Sequence, residues 1–264
     1  MSRRMAITLV VPLLLAACSA SPVQTDQSVE DSGAQTEAEA DAGTDVGPGA
    51  EKPDLMLFTS LPILWSEGGL GDILSQTAEV HWARTALESR YDLVPIDTLA
   101  TLPEAGTIVM AQPRALSPGE NVALDAFVRA GGRVLLIVDP MLDAHSHYGF
   151  GDRRRPEAIS MLSPILARWG MRLLPDERGD HIARWGSRDF PVEDGGRFEL
   201  ADGGHDSNCQ SVSEGLVAWC RVGGGKVMLM ADATFLADGE NAGAAGEGLL
   251  FDLIQAAEGP ATAT

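Results

Sequence analysis

Between residues 139 and 155 the chain sets Asp139, Asp143, His145, His147 and Asp152 ahead of Arg153, Arg154 and Arg155. Two histidines one residue apart, with carboxylates close by, form a donor set that could hold a divalent metal through imidazole nitrogen and carboxylate oxygen. Metal-assisted hydrolysis using His145, His147 and Asp139 is one chemistry this permits, although no Cys-rich or His-Glu helix motif backs the pair. The arginines could instead hold an anionic group, or pair with Asp152 and Glu157. A second carboxylate, Asp232, ends another apolar run as Asp139 ends its own. At the carboxyl ends of two neighbouring parallel strands, the two would face one crevice, over which Trp65 and Glu67 of an earlier loop could close. The competing reading of Trp65, Glu67, Asp139, His145, His147, Arg153 and Asp232 is structural: acids, bases and a tryptophan that order long loops.

Nucleophilic chemistry finds less support. Of three cysteines, Cys18 lies in a leader segment, and Cys209 and Cys220 flank a turn near Ser213-Glu214-Gly215. A disulfide across that hairpin is expected, worth about 3 kcal/mol by chain entropy; two buried thiols are the alternative. With both committed, no cysteine nucleophile is left. Gly223-Gly224-Gly225-Lys226 has the composition of a phosphate loop, but such a loop follows a strand and opens a helix. Here the glycines precede a strand and read as a tight turn. Gly-x-Ser-x-Gly and Gly-x-Gly-x-x-Gly do not occur. Neither a hydrolase elbow nor a dinucleotide fingerprint is signalled, and no catalytic residue, metal or cofactor is assigned.

The element that must position Asp139 is the stretch 117–140. Ser117 suits a helix N-cap, Pro118 the first helical position, and Glu120 completes a capping box. Ala123, Ala126, Phe127 and Ala130 line one face of the helix, and Gly131-Gly132 stop it. Val134 to Val138 is an unbroken apolar run, the pattern of a strand buried on both faces, ending at Asp139-Pro140. The rest of the chain supports it with more of the same. Leu55 to Thr59 reads as a first strand opening into a glycine-rich loop (60–72), and Thr77 to Arg90 as a helix. Short strands at Tyr91 to Ile96 and Thr107 to Ala111 follow. After the loop from Met141 to Pro156, a helix is expected over Glu157 to Trp169. Residues 171–221 alternate in short runs broken by Gly, Pro and Asp, the pattern of β-hairpins. Lys226 to Ala231 returns to a buried strand, and Gly246 to Ala257 to a helix. The expected class is α/β, a mainly parallel sheet with helices on both faces and a hairpin-rich insertion before the last strand.

Residues 1–17 read as a lipoprotein signal peptide: Arg3 and Arg4, then a mainly apolar stretch from Ala6, too short for the ~20 residues that span a bilayer. Leu15-Ala16-Ala17-Cys18 resembles the bacterial lipobox, which makes Cys18 the lipidated first residue of the mature chain; an ordinary signal peptide is the alternative. Ser19 in second place is not the Asp of inner-membrane retention, so the outer membrane is favoured. Residues 18–51 form an acidic tether with Asp26, Glu30, Asp31, Glu37, Glu39, Asp41, Asp45 and Glu51 and no base. With almost no large apolar side chains it is expected to be disordered, spanning about 30 Å as a flexible coil. The folded part is expected at 52–258, with a disordered tail at 259–264. The whole chain carries 38 acids against 19 bases, a net charge of −19. That balance disfavours nucleic acid and anionic membrane surfaces as partners.

Two segments carry a family resemblance. ALSPGENVALDAFVRAGGRVLLIVDP (115–140) resembles a recurrent capped-helix, Gly-Gly, buried-strand segment of GldG-type proteins, auxiliary components of ABC transport systems. GGGKVMLMADATFLAD (223–238) is similar to that family's closing strand and Asp-containing turn. The resemblance implies a class I glutamine amidotransferase-like or flavodoxin-like α/β domain. The Cys of the amidotransferase Gly-x-Cys-x-Gly elbow is missing, so that activity is not implied. Family members are generally anchored by transmembrane helices, whereas a lipoprotein is expected here. The resulting expectation is a lipid-anchored periplasmic domain, non-catalytic, that binds or scaffolds for an ABC-type envelope transport system and meets its permease or another envelope protein. A metal-dependent hydrolase of an envelope glycan or ester is the alternative.

Overall fold

The computed structural model describes residues 51–65, 67, 80–237 and 243–259, the side chains of 243 and 244 excepted. The leader, nearly all of the tether, the last residues of the tail, positions 66 and 68–72 of the first loop, and 77–79 of the first expected helix lie outside the described residues. In chain order the elements are β1 (Asp54–Thr59), α1 (Trp82–Arg90), β2 (Asp92–Pro95), β3 (Thr107–Ala111), α2 (Pro118–Arg129), β4 (Arg133–Ile137) and α3 (Ser163–Trp169). There follow β5 (Met171–Pro175), β6 (His181–Trp185), β7 (Arg188–Val192), β8 (Gly196–Leu200), β9 (Ser207–Val212), β10 (Val217–Val222), β11 (Gly225–Met230), α4 (Thr234–Ala237) and α5 (Gly243–Glu258).

Seven strands form one sheet in the order β2-β1-β3-β4-β11-β10-β9. The first five run parallel; β10 runs antiparallel to β11, and β9, antiparallel to β10, runs again in the direction of the first five. The α/β class and the mainly parallel sheet are thus as the sequence indicates. Every residue of β3 and β11 is buried, which is why these strands read as continuous apolar runs rather than alternating ones. Successive residues of a strand point to opposite faces. At the start of β11, a Cβ on Gly225 would meet the Val128 carbonyl of α2, whereas Lys226 reaches the other way, its Nζ 2.6 Å from the Ala256 carbonyl of α5. Helices α2 and α5 therefore cover opposite faces. Helix α1 lies with α5, the Arg90 guanidinium 3.7 Å above the Phe251 ring. Helix α3 lies with α2, Trp169 Nε1 donating to Asp125 at 3.0 Å.

The capping box of α2 forms with both of its hydrogen bonds. Its Glu120 does more than cap. Buried at 4 % exposure, it accepts from the backbone N–H of Ser117 and Leu99, from Thr98 Oγ1, and from both terminal nitrogens of Arg114. The Arg114 guanidinium foremost, with these hydrogen bonds, holds its carboxyl well below the usual range despite burial. One side chain thus fastens the α2 start to the loop after β2.

Four sequence expectations are corrected. The apolar face that α2 buries is Leu124, Phe127 and Val128, whereas Ala126 and Ala130 are exposed. Helix α1 begins at Trp82, its N-terminus capped by His81, whose Nδ1 accepts from Ala83 N–H at 3.1 Å. Helix α3 begins at Ser163, not Glu157. Pro164 sets that start: inside a helix from 157 it would break a hydrogen bond and clash with residue 160, whereas in the first turn it is tolerated. The hairpin-rich insertion is also smaller than 171–221. Strand β5 pairs with β8 and β6 with β7 in two small sheets, but β9 and β10 extend the main sheet. The expected disulfide is present, Cys209 and Cys220 standing directly opposite each other across β9 and β10. The triple glycine is the β10–β11 turn, with Gly223 at φ +55°.

Candidate functional site

Strand order turns back on itself between β1 and β3, since the chain passes from β1 to β2 on one side and to β3 on the other. Crevices outside the carboxyl ends of parallel strands at such a point are where ligands settle. Here the protein fills the position itself. Thr59 Oγ1 donates to the Ala111 carbonyl (2.8 Å) and Ser60 Oγ to the Gln112 carbonyl (2.5 Å). Gln112 follows β3 with φ +40°, a left-handed conformation unusual for a non-glycine residue, and is 1 % exposed. Its amide nitrogen donates to the carbonyls of Asp139 (3.1 Å) and Glu157 (2.8 Å), and its oxygen accepts from Asp139 N–H (2.8 Å). Ser60 Oγ in turn accepts from Glu157 N–H at 2.9 Å. The backbone of the long loop after β4 is thereby sewn to the ends of β1 and β3.

One strand further along, β4 and β11 are paired so that Ile137 lies beside Met230. Asp139 and Asp232, each two residues on, leave the sheet at matching positions, as the sequence reading required of a shared crevice. Both are buried, at 1 % and 0 % exposure. Asp139 Oδ1 accepts from Met141 N–H at 2.7 Å, and Asp232 Oδ1 from Thr234 N–H (2.8 Å) and Thr234 Oγ1 (2.5 Å). Oδ2 of each is buried with no hydrogen-bond partner. Burial pushes Asp139 up to about 7, the charges of Asp232 and Asp194 adding to the shift and the Met141 N–H opposing it. Asp232 rises to about 6, again through burial, with Thr234 and His181 opposing and Glu193 adding. Near neutral pH such a pair gives up its protons in steps that belong to both groups together.

The roof over the pair comes from the insertion. Gly196 N–H bonds the Ala231 carbonyl at 2.5 Å. A Cβ on Gly195 would come within 2.7 Å of Val192, and one on Gly196 within 2.7 Å of Pro140. Only glycine lets the chain pass this closely over the strand ends.

The other sequence candidates lie outside this buried pair. Glu67 accepts from Ser146 Oγ (2.8 Å) and from His147 N–H (2.9 Å), so the loops after β1 and β4 do meet. The side chains of His145, His147 and Arg153 are exposed, as is Trp65. The structure does not join His145 and His147 to the buried Asp139. Among the described residues no three His, Cys, Asp or Glu side chains are grouped to hold a metal ion. Of the arginines, Arg154 pairs with Asp152 at 2.7 Å, and Arg155 donates to the Tyr148 carbonyl at 2.8 Å. Sequence reasoning missed Gln112, Ser60 and the glycine roof. One signal was available: Ala111-Gln112-Pro113 repeats the pattern of Val138-Asp139-Pro140, a polar residue before proline at the end of an apolar strand.

Fold and site together define a mainly parallel α/β domain whose strand-end crevice is occupied by its own polar side chains. Residues 66–185 match the family described as ABC-type uncharacterized transport system. The match covers less than half of the chain and supports the resemblance read from the sequence, that to an auxiliary component of an ABC transport system. No curated protein matches it significantly. Among solved structures the N-terminal domain of mmIFT52 is similar at 11 % identity and TM-score 0.50, covering 80 % of this chain and 99 % of that one. At that identity the likeness is one of fold. An exo-β-1,4-mannosidase, Op5Man5 from an Opitutaceae bacterium, matches at 15 % identity and TM-score 0.47, covering 77 % of this chain and 36 % of the enzyme. Among the described residues no helix is long and apolar enough to cross a membrane.

Proposed function

We propose that this chain is a lipid-anchored periplasmic domain that binds or scaffolds, without catalysing a reaction, for an ABC-type envelope transport system. The family match over 66–185 carries the reading. The anchor and the compartment are extensions of it, supported by Leu15-Ala16-Ala17-Cys18, by the acidic run that follows, and by Ser19 in the place that favours the outer membrane. A flavodoxin-like or class I amidotransferase-like ancestry is supported by the strand order β2-β1-β3-β4. In such a sheet the strained residue after a central strand is a natural seat for a nucleophile. Gln112 holds that seat here, its amide committed to three backbone groups, which favours a binding role over a catalytic one.

Affinity purification of the full chain from cross-linked cells should recover the ATPase or membrane subunit of an ABC system. Recovery of no transporter subunit would overturn the auxiliary role. Separately, Cys18→Ala should shift the protein from the membrane to the soluble fraction, and unchanged fractionation would overturn the anchor.

A further inference from the structure

Ten large apolar side chains of the described residues are exposed, and five of them, Trp65, Met141, Phe150, Ile159 and Met161, belong to the loops that leave β1 and β4. Those strands run parallel in one sheet, so both loops start from the same end. They are held there. Glu67 binds Ser146 and His147 across the two loops, and the Glu157 backbone is fixed by Ser60 and Gln112. Arg155 folds back to the Tyr148 carbonyl with its guanidinium 4.7 Å from the Phe150 ring centroid, and Arg154 lies 4.0 Å from that of Tyr148. Phe150, 92 % exposed, is thus displayed on a scaffolded loop. Half of the exposed large apolar side chains thus lie on two loops at one end of the sheet, a bias that singly scattered surface residues do not show.

The chemistry of the patch selects its occupant. Aromatic residues, Met and Arg are enriched at protein–protein interfaces and Lys is depleted. Residues 141–162 contain Met141, Tyr148, Phe150, Met161 and the run Arg153-Arg154-Arg155, and no Lys. Asp143, Asp152 and Glu157 interrupt the basic character, and the chain as a whole carries a net charge of −19, which repels an anionic bilayer at long range. Arg153 is exposed and makes no hydrogen bond or ion pair among the described residues. The loop also falls inside the matched segment 66–185. We infer that this end of the sheet is the docking face for the extracytoplasmic part of the ABC system's membrane subunit, a surface offering an apolar pocket to Phe150 and a carboxylate to Arg153. The inference rests on the auxiliary role argued above.

The test uses the full chain in its own cells, with Phe150→Asp/Arg153→Glu as the docking variant. Leu200→Asp, an exposed position at the end of β8 remote from Gly196, is the control. Thermal melts of all three proteins should agree, because each altered side chain is exposed. Wild type and control should recover the membrane subunit after cross-linking, and the docking variant about tenfold less or none, as loss of an aromatic and an Arg anchor predicts. Equal recovery by the docking variant would overturn the docking face while leaving the auxiliary role standing. Recovery by none of the three would overturn both. Co-sedimentation of wild type, but not the docking variant, with anionic phospholipid vesicles, at unchanged transporter recovery, would assign the patch to the bilayer and also overturn the inference.

Discussion

Two regions of this domain bury carboxylates, and they treat them in opposite ways. At the start of α2, Glu120 is buried yet surrounded by donors: two backbone N–H groups, a threonine hydroxyl and the Arg114 guanidinium. At the carboxyl ends of β4 and β11, Asp139 and Asp232 are buried as deeply, but each has one oxygen without a partner and a like charge nearby. Burial disfavours the charged form in both places, and the supply of donors decides the net sign. Glu120 is held below the usual carboxylate range and the Asp pair above it. The first region is a fastening. The second stores unfavourable energy under the glycine roof, at the end of the sheet where ligands of open α/β folds settle.

The contrast has its largest consequence at Glu120. Removing its carboxylate in Glu120→Ala strips the capping box and leaves the buried Leu99 N–H and the Ser117 N–H without acceptors. Arg114, 40 % exposed at its side chain, can return to water. The expected loss is about 3 kcal/mol, roughly one for the cap and one for each orphaned donor, read as a lower urea midpoint at pH 7. The pH dependence has a defined sign. A carboxyl whose folded pKa is depressed contributes stability that is present above its unfolded value and is lost as pH falls through the folded one. Wild type should therefore lose this contribution only below about pH 4, where Glu and its unfolded counterpart part company. Glu120→Ala should flatten that acid limb. A loss under 1 kcal/mol would break the comparison at its stable end.

The Asp pair predicts the reverse slope. Its folded pKa values stand above the ordinary 3.8, at about 7 and about 6, so the folded state keeps protons that the unfolded state has released. Stability falls as pH rises from about 4 through about 7 and levels off above. In Asp139→Asn the amide oxygen keeps the Met141 N–H, and the NH2 replaces the unpartnered oxygen beside Asp232. That variant should gain about 2 kcal/mol at pH 8 and little at pH 5, where Asp139 is already protonated. Urea unfolding at both pH values checks it. Equal stability of wild type at pH 5 and pH 8 would show that the pair is not held as described.

What the sequence revealed follows the same division. The capping box at Ser117 and Glu120, the buried runs of β3, β4 and β11, and the hairpin bearing Cys209 and Cys220 were legible because they depend on neighbours close in sequence. So were Asp139 and Asp232 as strand-end residues. Their meeting was conditional, because which strands lie side by side is decided by long-range pairing that local periodicity does not encode. Gln112 escaped notice because its role depends on a positive φ and on the carbonyl of Glu157, 45 residues away. The start of α3 departs from the apolar periodicity because Pro164 is tolerated only in a first helical turn. The His145/His147 pair looked like a ligand set on spacing alone, and tertiary structure leaves both side chains exposed on the loop.

The smallest expected effect probes how finely the Asp pair is balanced. Thr234 gives Asp232 two of its hydrogen bonds, one from the backbone and one from Oγ1, and both favour the ionised form. Thr234→Val keeps the shape and the backbone bond but removes the hydroxyl donor. Hydrogen bonds to a charged acceptor are stronger than those to a neutral one. The loss should therefore be about 1 kcal/mol at pH 8, where Asp232 is ionised, and smaller at pH 5, where it is largely protonated. The midpoint of the alkaline fall in stability should also move upward, since Asp232 has lost a group that held its pKa down. An identical loss at both pH values would mean that Thr234 serves packing alone, and that Asp232 carries the same charge across the range. The opposition between the two buried acid regions would then rest on Asp139 and not on the pair.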